Sequence, residues 1–439
     1  MDEPSRRTLW ARMSRNMSWT FAGQLFISLA AVATLFITAR ALGPANLGIL
    51  ALVESFVRIV DLILRIEPWQ AVMRYAIQAQ ERRDEAAFAR LIKLSLLIDA
   101  AGGLLSGSVC ILLGHVAATW VGLPAGAGAQ YIAVFACGLF VSFRPTATAV
   151  LRIYDRFDVL ARIDMASAVL RFVLSLLAWQ AGLGLWAFLL IMLIQSLLDG
   201  TVCLIFALRE MRRRGHHDLL GAHGLAAIRE NPGILRFMWN SNFNVILRQS
   251  ANRVDVLALG ALTNPTAVGL YQLGKRVMNR ATKLAGPVRQ VIYPELSRLW
   301  EQGKRAAFNR LILTVSLAIL VLQLIVAIPV MLNIEPIIRA VFGPQYAGAG
   351  PVMNILLASS IVYASGVALN PALLSMGKDR LLVTVTLGAT LIFAASFLPL
   401  VHFFGVEGAA LSNLLFNLVW TIGCTLGLRR ARIQARPGR

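Results

Sequence analysis

Apolar runs long enough to cross a bilayer recur along almost the whole chain, and no other feature limits its fold as tightly. They lie at about 17–39, 47–66, 90–113, 130–152, 163–182, 184–207, 237–262, 267–292, 309–333, 351–374, 381–401 and 406–428. Hydrocarbon offers no partner to an unpaired backbone amide, so each run is predicted to be an α-helix. The ten-residue alternation of a membrane barrel is missing. With 57% hydrophobic residues and a mean hydropathy of +0.68, an ordinary soluble domain is excluded. The expectation is an all-α polytopic membrane protein with about 12 transmembrane helices. The first run lacks a small-residue cleavage site behind it and is read as a retained helix, not a signal peptide.

The chain also repeats itself. Ala86-Ala87-Phe88-Ala89-Arg90-Leu91-Ile92 returns as Ala306-Ala307-Phe308-Asn309-Arg310-Leu311-Ile312. Ala125-Gly126-Ala127-Gly128 returns as Ala347-Gly348-Ala349-Gly350, and Ala45-Asn46-Leu47-Gly48 resembles Thr266-Ala267-Val268-Gly269. All three echoes fall in nearly one register, which predicts two six-helix repeats. The predicted domains are an N-terminal lobe (1–210), a Gly-rich cytoplasmic linker (211–236) and a C-terminal lobe (237–439), arranged around a central cavity. Duplicated membrane proteins of this kind are typically transporters whose halves move about a shared site.

The net charge of +20 is distributed as a topology signal. Lysines and arginines gather on alternate connections, while the six opposite ones hold only Arg40 and Arg339. The positive-inside rule then predicts a multi-pass bacterial inner-membrane protein with both termini in the cytoplasm. Basic clusters such as Arg212-Arg213-Arg214 are read as orientation signals and contacts to anionic membrane lipids. Nucleic acid is not an expected partner, because aromatic interleaving and a folded soluble module are both missing. Cys110, Cys137, Cys203 and Cys424 share no close spacing and read as core residues, with no disulfide or metal implied. His216, His217 and His223 read as part of a solvated loop.

Catalysis finds no support in the sequence. The outer connections are short, with Glu335 and Glu407 as their carboxylates, and the phosphate-cradling Gly-x-x-x-x-Gly-Lys-Ser/Thr motif does not occur. No Ser, His and acid set suggests a nucleophile. The chain is read as a non-enzyme without cofactors. Residues 80–85 and 301–305, just before the Ala-Ala-Phe repeats, read as short amphipathic surface helices.

The functional signal lies inside the spans. The second carries Glu54, Arg58, Asp61 and Arg65 at spacings of three and four, which place them on one helical face. The seventh carries Asn244, Arg248, Asn252 and Asp255 on one face, with Arg253 beside them. The eighth carries Lys275, Arg276, Arg280 and Lys283 and no acid. Four cations facing lipid would cost roughly 10–14 kcal/mol on the insertion scale, though a terminal lysine can snorkel. Asp99, Asp199 and Asp255 offset part of this charge, whereas Arg144 and Arg171 add to it. A water-filled cavity receiving an anionic substrate accounts for the excess. The candidate cavity residues are Arg58, Arg248, Arg253, Lys275, Arg276, Arg280 and Lys283. Glu54, Asp61, Asp99 and Asp255 are candidates for either fixed counter-charge or ion coupling. Pro145, Pro287, Pro329 and Pro371 are expected to interrupt their spans.

Weak Gly/Pro-centred motifs carry a family resemblance over nearly the whole chain. Ala39-Arg40-Ala41-Leu42-Gly43-Pro44-Ala45-Asn46-Leu47-Gly48, Asp255-Val256-Leu257-Ala258-Leu259-Gly260, Val268-Gly269-Leu270-Tyr271 and Tyr293-Pro294-Glu295-Leu296-Ser297 resemble those of Wzx-type polysaccharide flippases. These belong to the multidrug/oligosaccharidyl-lipid/polysaccharide exporter superfamily. The resemblance implies transfer of an undecaprenyl-pyrophosphate-linked repeat unit from the cytoplasmic to the periplasmic leaflet, for O-antigen, capsule or exopolysaccharide synthesis. It also implies partners: an anionic lipid-linked oligosaccharide, with a polymerase and glycosyltransferases nearby. A multidrug or small-molecule antiporter of the same superfamily, a peptidoglycan-precursor flippase, and a non-transporting subunit of an assembly complex are the alternatives.

Overall fold

A computed structural model describes residues 3–216, 221, 223–283 and 285–434, and among them the only regular structure is helical. The first half contains α1 (Glu3–Leu64), α2 (Trp69–Glu81), α3 (Glu85–Trp120), α4 (Gly128–Cys137), α5 (Arg144–Ile153), α6 (Phe157–Gln180) and α7 (Leu185–Arg213). A short α8 (Ala226–Glu230) leads into α9 (Ile234–Leu262). Then follow α10 (Pro265–Lys283), α11 (Ala285–Glu301), α12 (Arg305–Leu332), α13 (Ile334–Val341), α14 (Ala349–Ser365), α15 (Leu369–Ser375) and α16 (Asp379–Gln434). The helices follow the apolar runs of the sequence. Glu85–Trp120, Leu185–Arg213, Arg305–Leu332, Ala349–Ser375 and Asp379–Ile433 are long and apolar enough to cross a membrane by length and composition.

Two runs joined by a short connection sometimes share one continuous helix. In α1 the chain turns at Gly43 (φ 69°), with Pro44 opening the next stretch, and α16 turns at Gly405 (φ 56°). The corresponding junction in the second half is a true break between α9 and α10. There the Asn264 side chain accepts a hydrogen bond from the Ala267 N–H at 2.9 Å and so caps α10.

The chain divides into two compact units, Met1–Leu42 with Leu50–Leu257, and Gly43–Ile49 with Ala258–Arg439. Each repeats the same local design. The Ala-Ala-Phe motifs open α3 and α12, and Phe88 and Phe308 are both fully buried. Phe88 stacks on His216 with centroids 4.6 Å apart, and Phe308 lies 5.1 Å from Trp300. The preceding residues are not surface helices, contrary to expectation. They form tight turns in which Arg83 (φ 55°) and Gly303 (φ 69°) take the left-handed conformation, and Asp84 caps α3 by accepting from the Ala87 N–H at 2.8 Å.

His216 also departs from the solvated-loop reading. It is buried, with Nδ1 2.6 Å from Glu85 Oε2, because α7 runs on to Arg213 and carries it back onto the core. Met211, Ala227, Ile234 and Met238, from the stretch joining the halves, enter that same core. Cys110, Cys203 and Cys424 are buried as expected, whereas Cys137 is exposed. Pro329 does not interrupt its run, since α12 passes through it and ends at Leu332. Pro145 and Pro371 do mark broken segments: α4 and α5 flank one gap, and α14 and α15 flank its counterpart.

Candidate functional site

The gap between α4 and α5 organises the charges of the first unit. Breaking a helix leaves carbonyls unpaired on one side and N–H groups unpaired on the other. Arg65, 3% exposed, serves the carbonyls: Nη1 donates to Ser142 O at 2.9 Å and Nη2 to Leu139 O at 3.2 Å. Its Nε donates to Asp61 Oδ1 at 2.8 Å, and Ser106 Oγ donates to that same oxygen at 2.9 Å. Gly103 makes room for this approach; a Cβ there would lie 2.4 Å from Leu139 O and 3.2 Å from the Arg65 guanidinium. Asp99, 1% exposed, serves the other side, its Oδ2 accepting the Thr146 N–H at 3.1 Å. Among the described residues its Oδ1 is buried without a hydrogen-bond partner. The half-helix thus meets a carboxylate at its N-terminus, where the peptide dipoles favour negative charge.

A second cluster surrounds Arg144, the first residue of α5. Its guanidinium pairs with Asp164 of α6 and, at 3.1 Å through Nη1, with Asp199 of α7. Beside it, Gln195 Nε2 donates to Ser167 Oγ at 3.2 Å. Arg58 lies over the Phe135 ring at 5.6 Å and within electrostatic reach of Asp199. Glu54 and Arg58 both act electrostatically on Arg253. Asp61 thus pairs with Arg65 on its own helix, while Arg58 is directed toward α4 and α7.

In the second unit the cations dominate α10. Lys275 is 5% exposed, its Nζ over the fully buried Tyr271 ring at 5.7 Å. Arg276 lies within electrostatic reach of Arg280 and of buried Tyr346. No Asp or Glu occurs in α10 itself. Asp255, on α9 in the first unit, is buried and accepts the Val256 N–H at 2.8 Å. Arg248 and Lys283 lie outside the residues whose side chains are described. No group of three or more metal-ligating side chains occurs among the described residues.

Sequence reasoning left Asp164 unmentioned and placed Arg144 and Asp199 outside the site. The three residues come from three helices, so no single-helix spacing joins them. The one legible hint was an arginine set directly before Pro145 in an apolar run.

A family model described as a polysaccharide biosynthesis protein matches residues 37–351. The chain belongs to that family. It is 26% identical to the Escherichia coli K12 inner membrane protein YghQ over 340 residues, which covers 76% of this chain and 94% of YghQ. It is 27% identical over 201 residues to the probable flippase AglR of Haloferax volcanii, covering 44% of this chain and 40% of AglR. Among solved structures, an inward-facing multidrug-resistance MATE transporter of the MOP superfamily matches with a TM-score of 0.72 at 13% identity, over 93% of this chain and 94% of that one. The family match agrees with the polysaccharide-biosynthesis reading that the sequence motifs implied, and the solved structure shares the fold.

Proposed function

We propose that this protein is a flippase that carries a polyprenyl-pyrophosphate-linked oligosaccharide from the cytoplasmic to the periplasmic leaflet of the inner membrane, for surface polysaccharide synthesis. The acid-free cation row on α10 carries this reading. A pyrophosphate entering hydrocarbon loses its hydration at a prohibitive cost unless fixed cations replace the water. Arginine offers a fork of donors to phosphate oxygens, while lysine acts as a point charge. Arg58, Arg248, Arg253, Lys275, Arg276, Arg280 and Lys283 are the proposed headgroup contacts, with the isoprenoid tail left in lipid. Transport by alternating access brings the headgroup to these cations. A drug antiporter that takes up cations would place carboxylates where α10 has lysine and arginine.

The acids divide by their surroundings. Asp61 acts as fixed counter-charge, because Arg65 and Ser106 already occupy it. Asp99 is the better candidate for coupling transport to an ion gradient, since one of its buried oxygens has no hydrogen-bond partner among the described residues. In cells lacking the protein, the lipid-linked oligosaccharide should accumulate on the cytoplasmic side and surface polysaccharide should fall. Normal delivery of that polysaccharide in such cells would overturn the assignment.

A further inference from the structure

Between α6 and α7, wholly within the first unit, lies a cavity of about 440 Å³. Ala166, Leu170, Leu198, Val202 and Phe206 make most of its wall apolar. It opens at the surface, because Leu198 and Phe206 are 41% and 39% exposed. Its two ends differ in charge. At one end is Asp199, held by Arg144. At the other is Arg162, whose side chain is 61% exposed, and Arg209 one turn beyond stacks on Phe206 at 5.9 Å.

The arginine end carries surplus positive charge. Asp158 is shared by Arg156 and Arg162, and Glu210 by Arg156 and Arg214, so these two carboxylates already serve three arginines. Arg209 adds to them, and exposed Arg212 and Arg213 follow on the next turn, while the adjoining connection adds one acid, Asp155. An anion is therefore drawn to this end, whereas Asp199 at the other is already taken up by Arg144. The ten residues from Asp199 to Arg209 rise about 15 Å along the helix. That is roughly half of a 30 Å hydrocarbon core, the depth of a single leaflet.

We infer that this groove binds one anionic phospholipid of the inner leaflet, an acyl chain between α6 and α7 and the phosphate on Arg162 and Arg209. A polyprenyl chain is longer than one leaflet and does not match a groove that ends at Asp199. The inference is independent of the transported substrate.

The test uses the full-length protein purified in detergent and given an equimolar mixture of phosphatidylglycerol and phosphatidylcholine, with retained lipid counted by native mass spectrometry. The wild type should hold one phosphatidylglycerol in strong preference to phosphatidylcholine. A cation near the membrane surface contributes about 1 kcal/mol to such binding, so losing both arginines should weaken it about 30-fold. The R162Q/R209Q variant should lose that lipid, R162K/R209K should keep it, and A166W should lose it by filling the groove. Retention by R162K/R209K separates lost charge from misfolding. Equal retention of the two lipids by wild type, or wild-type retention by R162Q/R209Q or A166W, would overturn the site. Displacement of the bound lipid by equimolar polyprenyl phosphate would also overturn it, by making the groove part of a substrate path.

Discussion

Gly48 and Gly269, 221 positions apart in the two repeats, stand against each other's helix starts with no room for a side chain. A Cβ on Gly48 would lie 1.7 Å from the Pro265 carbonyl oxygen, and one on Gly269 would lie 1.9 Å from the Pro44 carbonyl oxygen. Pro44 and Pro265 share the same offset, so the contact relates each repeat's glycine to the other's proline. The sequence echo around residues 45 and 266 is therefore a physical contact between the matched segments. Backbone stands where a methyl group would go, and backbone cannot swing aside as a flexible side chain does.

Gly48→Ala and Gly269→Ala should each cost at least about 1–3 kcal/mol, the usual range for overpacking. Gly388→Ala is the control: a Cβ there meets nothing within 4 Å, and alanine favours helix by up to about 1 kcal/mol. Thermal unfolding of the purified variants checks the contrast. Equal melting temperatures for all three would mean that the two glycines do not touch as described.

Arg65 offers a sharper test. Its removal strands the Leu139 and Ser142 carbonyls and takes the paired guanidinium from half-buried Asp61. Breaking a buried ion pair in this way costs about 3–5 kcal/mol. Arg65→Gln should therefore lower protein level and melting temperature, and Asp61→Asn in the same chain should restore part of the loss. Arg65→Lys should rescue poorly, since one ammonium does not reproduce a three-way fork. Asp61→Asn should give no such rescue of Arg58→Gln. Equal rescue of both would place Asp61 between the two arginines and remove its assignment to Arg65.

The buried histidine separates packing from polar contact. His216→Phe keeps a ring against Phe88 and loses the Glu85 contact, whose carboxylate is largely exposed. His216→Ala loses both and opens a cavity beside Phe88 and Tyr154. The alanine variant should be destabilised by about 2–4 kcal/mol and the phenylalanine variant by roughly 1 kcal/mol. Denaturation of the two proteins in one detergent measures the order, and a phenylalanine variant as weak as alanine would give the dominant role to the polar contact.

Legibility followed the range of each interaction. The repeat was visible because Phe88 and Phe308 each hold a helix start against a local core, so a seven-residue motif differing only at Ala89 and Asn309 serves twice. Pro145 and Pro371 marked gaps because a ring without an N–H suits the first turn of a helix. Pro329 misled, because its run had only one more turn to make. The Asp61–Arg65 pair was written in an i,i+4 spacing, yet the reach of Arg65 across more than seventy residues to the α4–α5 gap was not. His216 was misread for the same reason: a polar loop composition says nothing about a distant phenylalanine. The Arg144 cluster joins three helices, and one sequence encodes no register between them.

The transport hypothesis rests finally on charge, and removing the cations tests it. Arg58 and Arg276 are only partly buried, and Lys275 lies against Tyr271. Replacing any one by glutamine should leave insertion intact and slow delivery of lipid-linked sugar, because the anionic headgroup loses a counter-charge. A charge-assisted contact contributes about 1.5–3 kcal/mol, so one loss should reduce transport roughly ten- to a hundred-fold where it acts on the rate-limiting step. The triple variant should be severely impaired, and charge reversal at Arg276 should be worse than neutralisation, by setting a carboxylate against the phosphate. Lysine at position 58 should recover little if a phosphate is held by two donors at once. Delivery of labelled lipid-linked sugar, normalised to membrane protein level, measures each case. If the triple variant, stably inserted, transports at the wild-type rate, an anionic substrate held by these cations is excluded.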